Sequence, residues 1–579
     1  MKFLLVAINA KYIHSNLAVY SLKAYAQKAV EIQEGFPVSV ELAEYTINHS
    51  CQDILGDIFE KKPDIVGFSC YIWNMEYVRQ LLEDLPEVLG TVKLWLGGPE
   101  ASYCAGELMK EFPRLEGVMR GEGEEAFAGL VQYYGQRAGI ESIPGLVYRN
   151  QEGGICVNPM GKPMDLSALP FPYTQSWMKP INIRNRIIYY ESSRGCPFSC
   201  SYCLSSVDKQ VRFRDLRLVF SELQFFLDRQ VEQVKFVDRT FNCKSSHSTA
   251  IWRYLLEHDN GVTNFHFEIG ADLLTQEDLD ILKRMRPGLI QLEIGVQTAN
   301  PATLKEIHRT MDLGQLEEAV ACVRAGRNIH QHLDLIAGLP FEDLESFSSS
   351  FDRVYRMKPN QLQLGFLKVL KGSWMEENKA FYGLKFTSRP PYEVLETKWL
   401  RYQDILYLKK IEEMVEVYYN SGQFSWTISC LETLFLRPIE IFAALADWYK
   451  KAGLEAVKHS RQARYAIIFS MIQQCFSDKV EVFRDALTMD VYLREKAKTR
   501  PEFARELALY RERIWQFYQQ EEKERRYLPA YRGFDSRQLA RMTHLEVLGD
   551  GRMFLFDYQA RDPLTYNARL VEIREEDYD

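Results

Sequence analysis

The stretch Arg186-Ile-Ile-Tyr-Tyr-Glu-Ser-Ser-Arg194-Gly-Cys196-Pro-Phe-Ser-Cys200-Ser-Tyr-Cys203 joins a strand-like run directly to three cysteines. A buried strand ending near Ser193 puts the thiols in the loop at its C-terminal end, where βα folds place their active sites. The spacing is Cys-x3-Cys-x2-Cys. Three thiolates can bind three irons of a [4Fe–4S] cluster and leave the fourth without a protein ligand. An open metal position is what catalysis requires, as at catalytic zinc. The competing reading is a zinc knot with a distant fourth ligand. The next histidine, His247, lies outside the usual Cys/His spacing.

Downstream of the cysteines, strand-like runs alternate with helical segments: QVKFVD, NFHFEIGA, IQLEIGVQ, HLDLIAGLP and QLQLGFLKV. With RIIYYESS they make six, enough for a partial (βα)6 barrel over residues 183–390. Upstream, FLLVAI, VSVELAEYT, DIVGFSC, VKLWLGG and GVMRGEGEEAF alternate with helical runs. This predicts an α/β, doubly wound (Rossmann-like) domain over residues 1–135. The Pro- and Gly-rich residues 136–182 read as a linker with one hairpin. Beyond residue 391 the long amphipathic segments predict a mostly helical domain, 391–579, ending in a short hairpin within RMFLFDYQARDPLTYNARLVEI.

The chain has 579 residues, 46% of them apolar and 26% charged, a folded composition with room for three or four units. A net charge of −8 gives no large basic footprint for nucleic acid. Eleven cysteines, an odd number, argue against a disulfide framework. The apolar run Phe3–Ile8 is too short for a leader or a membrane span. A cytoplasmic location, with no membrane partner, is therefore expected.

The cysteine motif, with Tyr202 before its last thiol, resembles the radical S-adenosylmethionine (radical SAM) superfamily. So do Phe236-Val-Asp238-Arg239, Glu268-Ile-Gly-Ala-Asp272, Leu292-Glu293-Ile-Gly295-Val-Gln297, Ile307-His-Arg309 and the Gly338-Leu-Pro340 turn, in that order. The resemblance implies a cluster held by Cys196, Cys200 and Cys203 that reductively cleaves SAM to a 5′-deoxyadenosyl radical. Tyr202, Asp238, Glu268, Gln297 and Arg309 are the implied SAM contacts. A flavodoxin or ferredoxin is the implied reductant.

The first domain is similar to the cobalamin-binding fold. Ser69 and Tyr71 follow one strand and Gly97-Gly98 end another, where a doubly wound sheet binds ligands and small residues admit a cofactor tail. The implied cobalamin contacts are Asn9, Ser69, Tyr71, Gly97, Gly98, Pro99, Glu100, Gly121 and Glu122. His14 lacks the Asp and Gly of the Asp-x-His-x-x-Gly cobalt-ligating motif, so it is expected to be a loop hydrogen-bonder. The combination resembles the B12-dependent (class B) radical SAM methyltransferases, and the C-terminal region resembles that of an uncharacterised bacterial branch. It implies C-methylation of a small molecule or peptide. Rearrangement or cyclisation without methyl transfer is the alternative, and methylthiotransferase-like chemistry a lesser one. The latter group has a cysteine at the end of its first strand, where this chain has Asn9.

Overall fold

The computed structural model describes residues 1–30, 36–178, 183–455 and 457–574. The last four residues of the expected linker and the extreme C-terminal residues lie outside them. The first sheet contains β1 (Lys2–Asn9), β2 (Ser39–Thr46), β3 (Ile65–Ser69), β4 (Lys93–Gly97), β5 (Leu115–Met119), β6 (Leu146–Arg149) and β7 (Ile155–Val157). Its order is β2-β1-β3-β4-β5-β6-β7. The first five strands run parallel, and helices cover both faces. That is why Phe3 through Ile8 are all buried and show no polar alternation. The helix Leu17–Ala29 starts where the Asn16 side chain accepts a bond from the Val19 N–H.

The hairpin expected between residues 136 and 182 is β6–β7, and it corrects the linker reading. Strand β6 pairs antiparallel with β5, so this part of the stretch completes the first sheet. Pattern alone cannot tell a free hairpin from one that docks on an existing edge.

The second sheet is fully parallel. It uses β8 (Ile187–Tyr190), then, beyond the two-residue pair β9 (Ser193–Arg194) and β10 (Arg212–Phe213), the strands β11 (Gln233–Phe236), β12 (Asn264–Ile269), β13 (Ile290–Gln297), β14 (His330–Ala337) and β15 (Gln361–Phe366). The order β15-β14-β13-β12-β11-β8 follows the chain, as βα repetition demands. Strand β13 shows the logic of the wall. Ile290, Leu292, Ile294 and Val296 are buried outward, each burial worth roughly 1.5–3 kcal/mol. Gln291, Glu293, Gly295 and Gln297 occupy the opposite, lumen-facing positions.

The edge of β8 is not bare. Ile187 N–H donates to Ile13 O at 2.7 Å, and Ser15 N–H donates back to Ile187 O at 3.3 Å. The first βα loop of the N-terminal sheet therefore touches the edge of the second sheet through a single parallel bridge, His14 with Ile187.

Past residue 374 come the small ribbon β16 (Lys385–Phe386) with β17 (Val394–Glu396), then mainly helices. The terminal sheet holds β18 (Thr543–Val547), β19 (Met553–Arg561) and β20 (Ala568–Ile573). It has three strands rather than the expected two, because Thr543–Val547 pairs with the hairpin. Among the described residues no helix is long and apolar enough to cross a membrane.

Candidate functional site: a thiol loop between two α/β units

The loop after β8 carries the three cysteines. Gly195 has φ +98°, and a Cβ there would sit 2.6 Å from Gln210 O, so the residue before Cys196 must be glycine. Cys196 N–H is held by Asp208 O at 3.0 Å, and Cys203 N–H by Cys200 O at 3.1 Å. Ser201 N–H donates to Ile307 O at 3.0 Å, tying the loop to the segment after β13. Cys196 and Cys200 are buried and Cys203 is half-buried. Burial pushes the Cys196 thiol up, and the charges of Cys203 and Cys200 add to that. Three soft thiolates spread along one loop fit a cluster, in which each takes its own iron.

Arg309 is buried against this loop. One Nη donates to Cys200 Sγ at 3.6 Å and to the Tyr202 hydroxyl at 3.4 Å; the other donates to Gly295 O. Its Nε is buried with no partner, as is Oε1 of Gln297. Gln297 has φ +71°, at a register shift between β13 and β14. Gly295 leaves that level of the wall without a side chain; a Cβ would stand 2.3 Å from Gln297 Nε2.

Asp238 corrects an expectation. It is fully buried, and its oxygens accept from Ser192 N–H (3.0 Å), Ser192 Oγ (2.7 Å) and Ser193 Oγ (2.6 Å). Burial pushes it up to about 6, against those hydrogen bonds. It braces the root of the thiol loop and has no free face for SAM. Glu268 does face the lumen, and burial, then Glu293, pushes it up to about 7.

Below that level the lumen is polar in a way the sequence reading missed. Lys235 Nζ meets Glu293 at 2.8 Å and Glu268 at 3.6 Å, and His266 Nε2 lies 2.9 Å from Glu293. Tyr189 on β8 hydrogen-bonds His14 Nδ1 at 2.6 Å. His14 is thus the expected loop hydrogen-bonder, with its partner on the other sheet. Period-two alternation on β11 to β14 was the available signal for these residues.

In the first sheet, Ser69 and Gly97 are register neighbours at the carboxyl ends of β3 and β4. Gly98 has φ +100°, and a Cβ there would lie 2.5 Å from Cys70 O. Gly121, at φ +73°, closes on Met160. Tyr71 stacks on Trp73 at 4.4 Å, and the Trp73 indole N–H donates to Ile8 O. Pro99 is exposed, at the start of the helix Pro99–Ser102.

Three expected cobalamin contacts are already engaged. The Asn9 amide bonds His14 O, Glu44 and Asn16. Glu100 is buried and takes the Tyr392 hydroxyl, with Lys371 Nζ at 3.4 Å. The Glu122 oxygens accept from Arg212 (2.5 Å), Arg194 (3.2 Å) and Met164 N–H (2.9 Å). Asn9 braces the first βα loop within its own unit, whereas Glu100 and Glu122 tie that unit to later parts of the chain. Arg194, two residues before Cys196, shares the Glu122 network, also meeting Glu124 at 2.8 Å and Glu191 at 2.7 Å.

Residues 4–131 match the B12 binding domain, residues 190–354 the radical SAM superfamily, and residues 380–553 a protein family of unknown function, DUF4080. The chain is thus a B12-binding-domain radical SAM protein with a DUF4080 C-terminal region. It is 25% identical over 308 residues to the anaerobic magnesium-protoporphyrin IX monomethyl ester cyclase of Rubrivivax gelatinosus, covering 52% of this chain and 55% of that protein. It is 26% identical over 323 residues to the cobalamin-dependent radical SAM methyltransferase TokK of Streptomyces tokunonensis, covering 51% and 45%. The alignments span about half the length of these curated relatives. The structure of the cobalamin-dependent S-adenosylmethionine radical enzyme OxsB with aqua-cobalamin shares the fold, with a TM-score of 0.59 at 14% identity over 85% of this chain and 80% of that one.

Proposed function

We propose that this chain is a cobalamin-dependent radical SAM enzyme that methylates an unactivated carbon of a small molecule or peptide. The observation that carries this reading is the half-buried Arg194 network. It fastens the three-cysteine loop to Glu122 and Glu124, at the helix start that follows β5 in the B12-binding sheet. Two cofactor sites so joined hold their reacting atoms at a fixed separation, which radical transfer needs.

In this reading Cys196, Cys200 and Cys203 ligate a [4Fe–4S] cluster. Tyr202, Gln297, Arg309 and Glu268 surround SAM, and the unpartnered Arg309 Nε and Gln297 Oε1 are the groups with hydrogen-bonding capacity to offer it. Ser69, Tyr71, Gly97, Gly98, Pro99 and Gly121 form the cobalamin cradle. When bound, the cluster supplies the electron that opens SAM, and cobalamin carries the methyl group. The protein orients these groups and keeps water from them: Tyr202 and Arg309 close over Cys200, and the polar lumen beneath positions the acceptor. The reductant is a flavodoxin or ferredoxin, and the location is the cytoplasm.

A second reading, cyclisation or rearrangement without methyl transfer, is favoured by the likeness to a cyclase. Anaerobic reconstitution tests the common core: Cys200→Ala should lose iron and 5′-deoxyadenosine formation, and retention of both refutes it. Methyl-deuterated SAM then separates the two readings, because label in the product requires methyl transfer. Failure of the purified chain to bind hydroxocobalamin removes the B12 half.

A further inference from the structure

Arg309 stands out because of what its guanidinium is paired with. One Nη is shared between a cysteine sulfur and a phenol, and the other meets a backbone carbonyl; none of these partners is a carboxylate. A buried guanidinium normally has its charge balanced by a carboxylate in bidentate contact, as Arg214 has from Glu222. Asp272 acts on Arg309 only through space, so the guanidinium directs its contacts at Cys200 and Tyr202.

The placement is fixed by backbone. Ser201, next to Cys200, donates to Ile307 O, two residues before Arg309. Arg309 N–H in turn donates to Leu304 O at 3.0 Å, and His308 takes φ +53° to make the bend. Gly295 contributes its carbonyl, which accepts from the other Nη. The arginine is therefore held by the thiol loop itself, before any ligand arrives.

Resting on the reading of Cys196, Cys200 and Cys203 as cluster ligands, we propose that Arg309 is a positioning residue that sets the cluster's reduction potential through Cys200. A hydrogen bond to a ligating sulfur, and a positive charge beside it in a dry site, stabilise the more negative, reduced cluster. Potentials of such clusters are set by this kind of outer contact. The guanidinium makes the cluster easier to reduce before SAM binds, and its spare Nε remains for SAM.

The test is a potentiometric titration of the anaerobically reconstituted full chain, followed by electron paramagnetic resonance, with and without SAM. Arg309→Met should lower the midpoint in the absence of SAM by at least the 59 mV that corresponds to a tenfold smaller reduced-to-oxidised ratio at a fixed potential. Arg309→Lys, which keeps the charge without the planar fork, should fall between. Tyr202→Phe removes a second hydrogen bond to Cys200, from the phenol, and should lower the midpoint by less than Arg309→Met, because the charge stays. An Arg309→Met protein with full iron content and the wild-type midpoint without SAM overturns the proposal, even if its SAM affinity falls, since that pattern marks a SAM ligand only. If the methionine variant does not hold iron, an Arg309→Lys midpoint equal to wild type overturns it equally. Wild-type protein that takes up no iron sinks the cluster reading itself, a distinct outcome.

Discussion

Replacing Gly98 with alanine separates backbone necessity from pocket filling at the proposed cobalamin cradle. Gly98 has φ +100°, and its missing Cβ would lie 2.5 Å from Cys70 O and 3.0 Å from Cys70 N. Both are main-chain atoms at the end of β3, which is itself tied to β4 by the 2.7 Å bond from Cys70 N–H to Gly97 O. Neither atom can retreat without breaking that tie. A non-glycine residue in sparsely populated φ/ψ space costs about 1–3 kcal/mol, and the close approach adds to it. Gly97→Ala is the control. Its Cβ meets Met119 Cε at 3.2 Å, the mobile tip of a side chain, and needs no unusual φ. The expected outcome is that Gly98→Ala lowers thermal stability while Gly97→Ala barely changes it. If the strain falls on the ligand-facing turn alone, 1.4–2.8 kcal/mol is about a 10- to 100-fold loss in cobalamin affinity. Differential scanning fluorimetry and a visible-absorbance titration with hydroxocobalamin read the two effects. A Gly98→Ala protein as stable as Gly97→Ala, with wild-type affinity, refutes the reasoning.

Arg194→Met leaves Glu124, whose side chain is only 7% exposed, without its cation, and should cost about 3 kcal/mol. Adding Glu124→Gln should recover part of that, read as a double-mutant cycle in chemical denaturation. Glu342 is buried, with Thr298 and Ser350 on Oε1 and no partner on Oε2, and burial pushes it up to about 7. Its raised value means that the native state binds the proton more tightly. Its stabilisation is complete below the ordinary glutamate range near 4.5 and is lost as pH rises through 7. Glu342→Gln should flatten the melting temperature across that window, and an unchanged slope would show that the carboxyl is not the group involved. Tyr392→Phe should release Glu100 to Lys371 alone and lower stability by about 1 kcal/mol, with little effect on iron content.

The six lumen strands were legible because each is a short apolar run with a βα partner, and local pattern sets local structure. The thiol loop was legible because its chemistry lies within eight residues. Three of the carboxylates were not. Glu100 and Glu122 look from sequence like ligand-facing loop residues, but their partners, Tyr392 and Arg212, come from residues far along the chain. Asp238 failed for the same reason: only the fold brings Ser192 and Ser193 onto it. Strand Thr543–Val547 was missed because its short run continues without a break from the helix Ser536–Met542. The lumen set of Tyr189, Lys235, His266 and Glu293 was visible only as polar alternation, which on an ordinary sheet means a solvated face.

The pairing of residues 13–15 with the edge of β8 makes the junction between the cofactor units a shared main-chain seam. Side-chain contacts can slide or re-pair as domains rock; main-chain hydrogen bonds in register cannot, short of local unfolding. The seam also links folding to assembly. Deleting the first unit would leave Ile187 and its neighbours as an open strand edge, a template for pairing with other chains. The radical SAM portion alone should aggregate where the whole chain stays monodisperse.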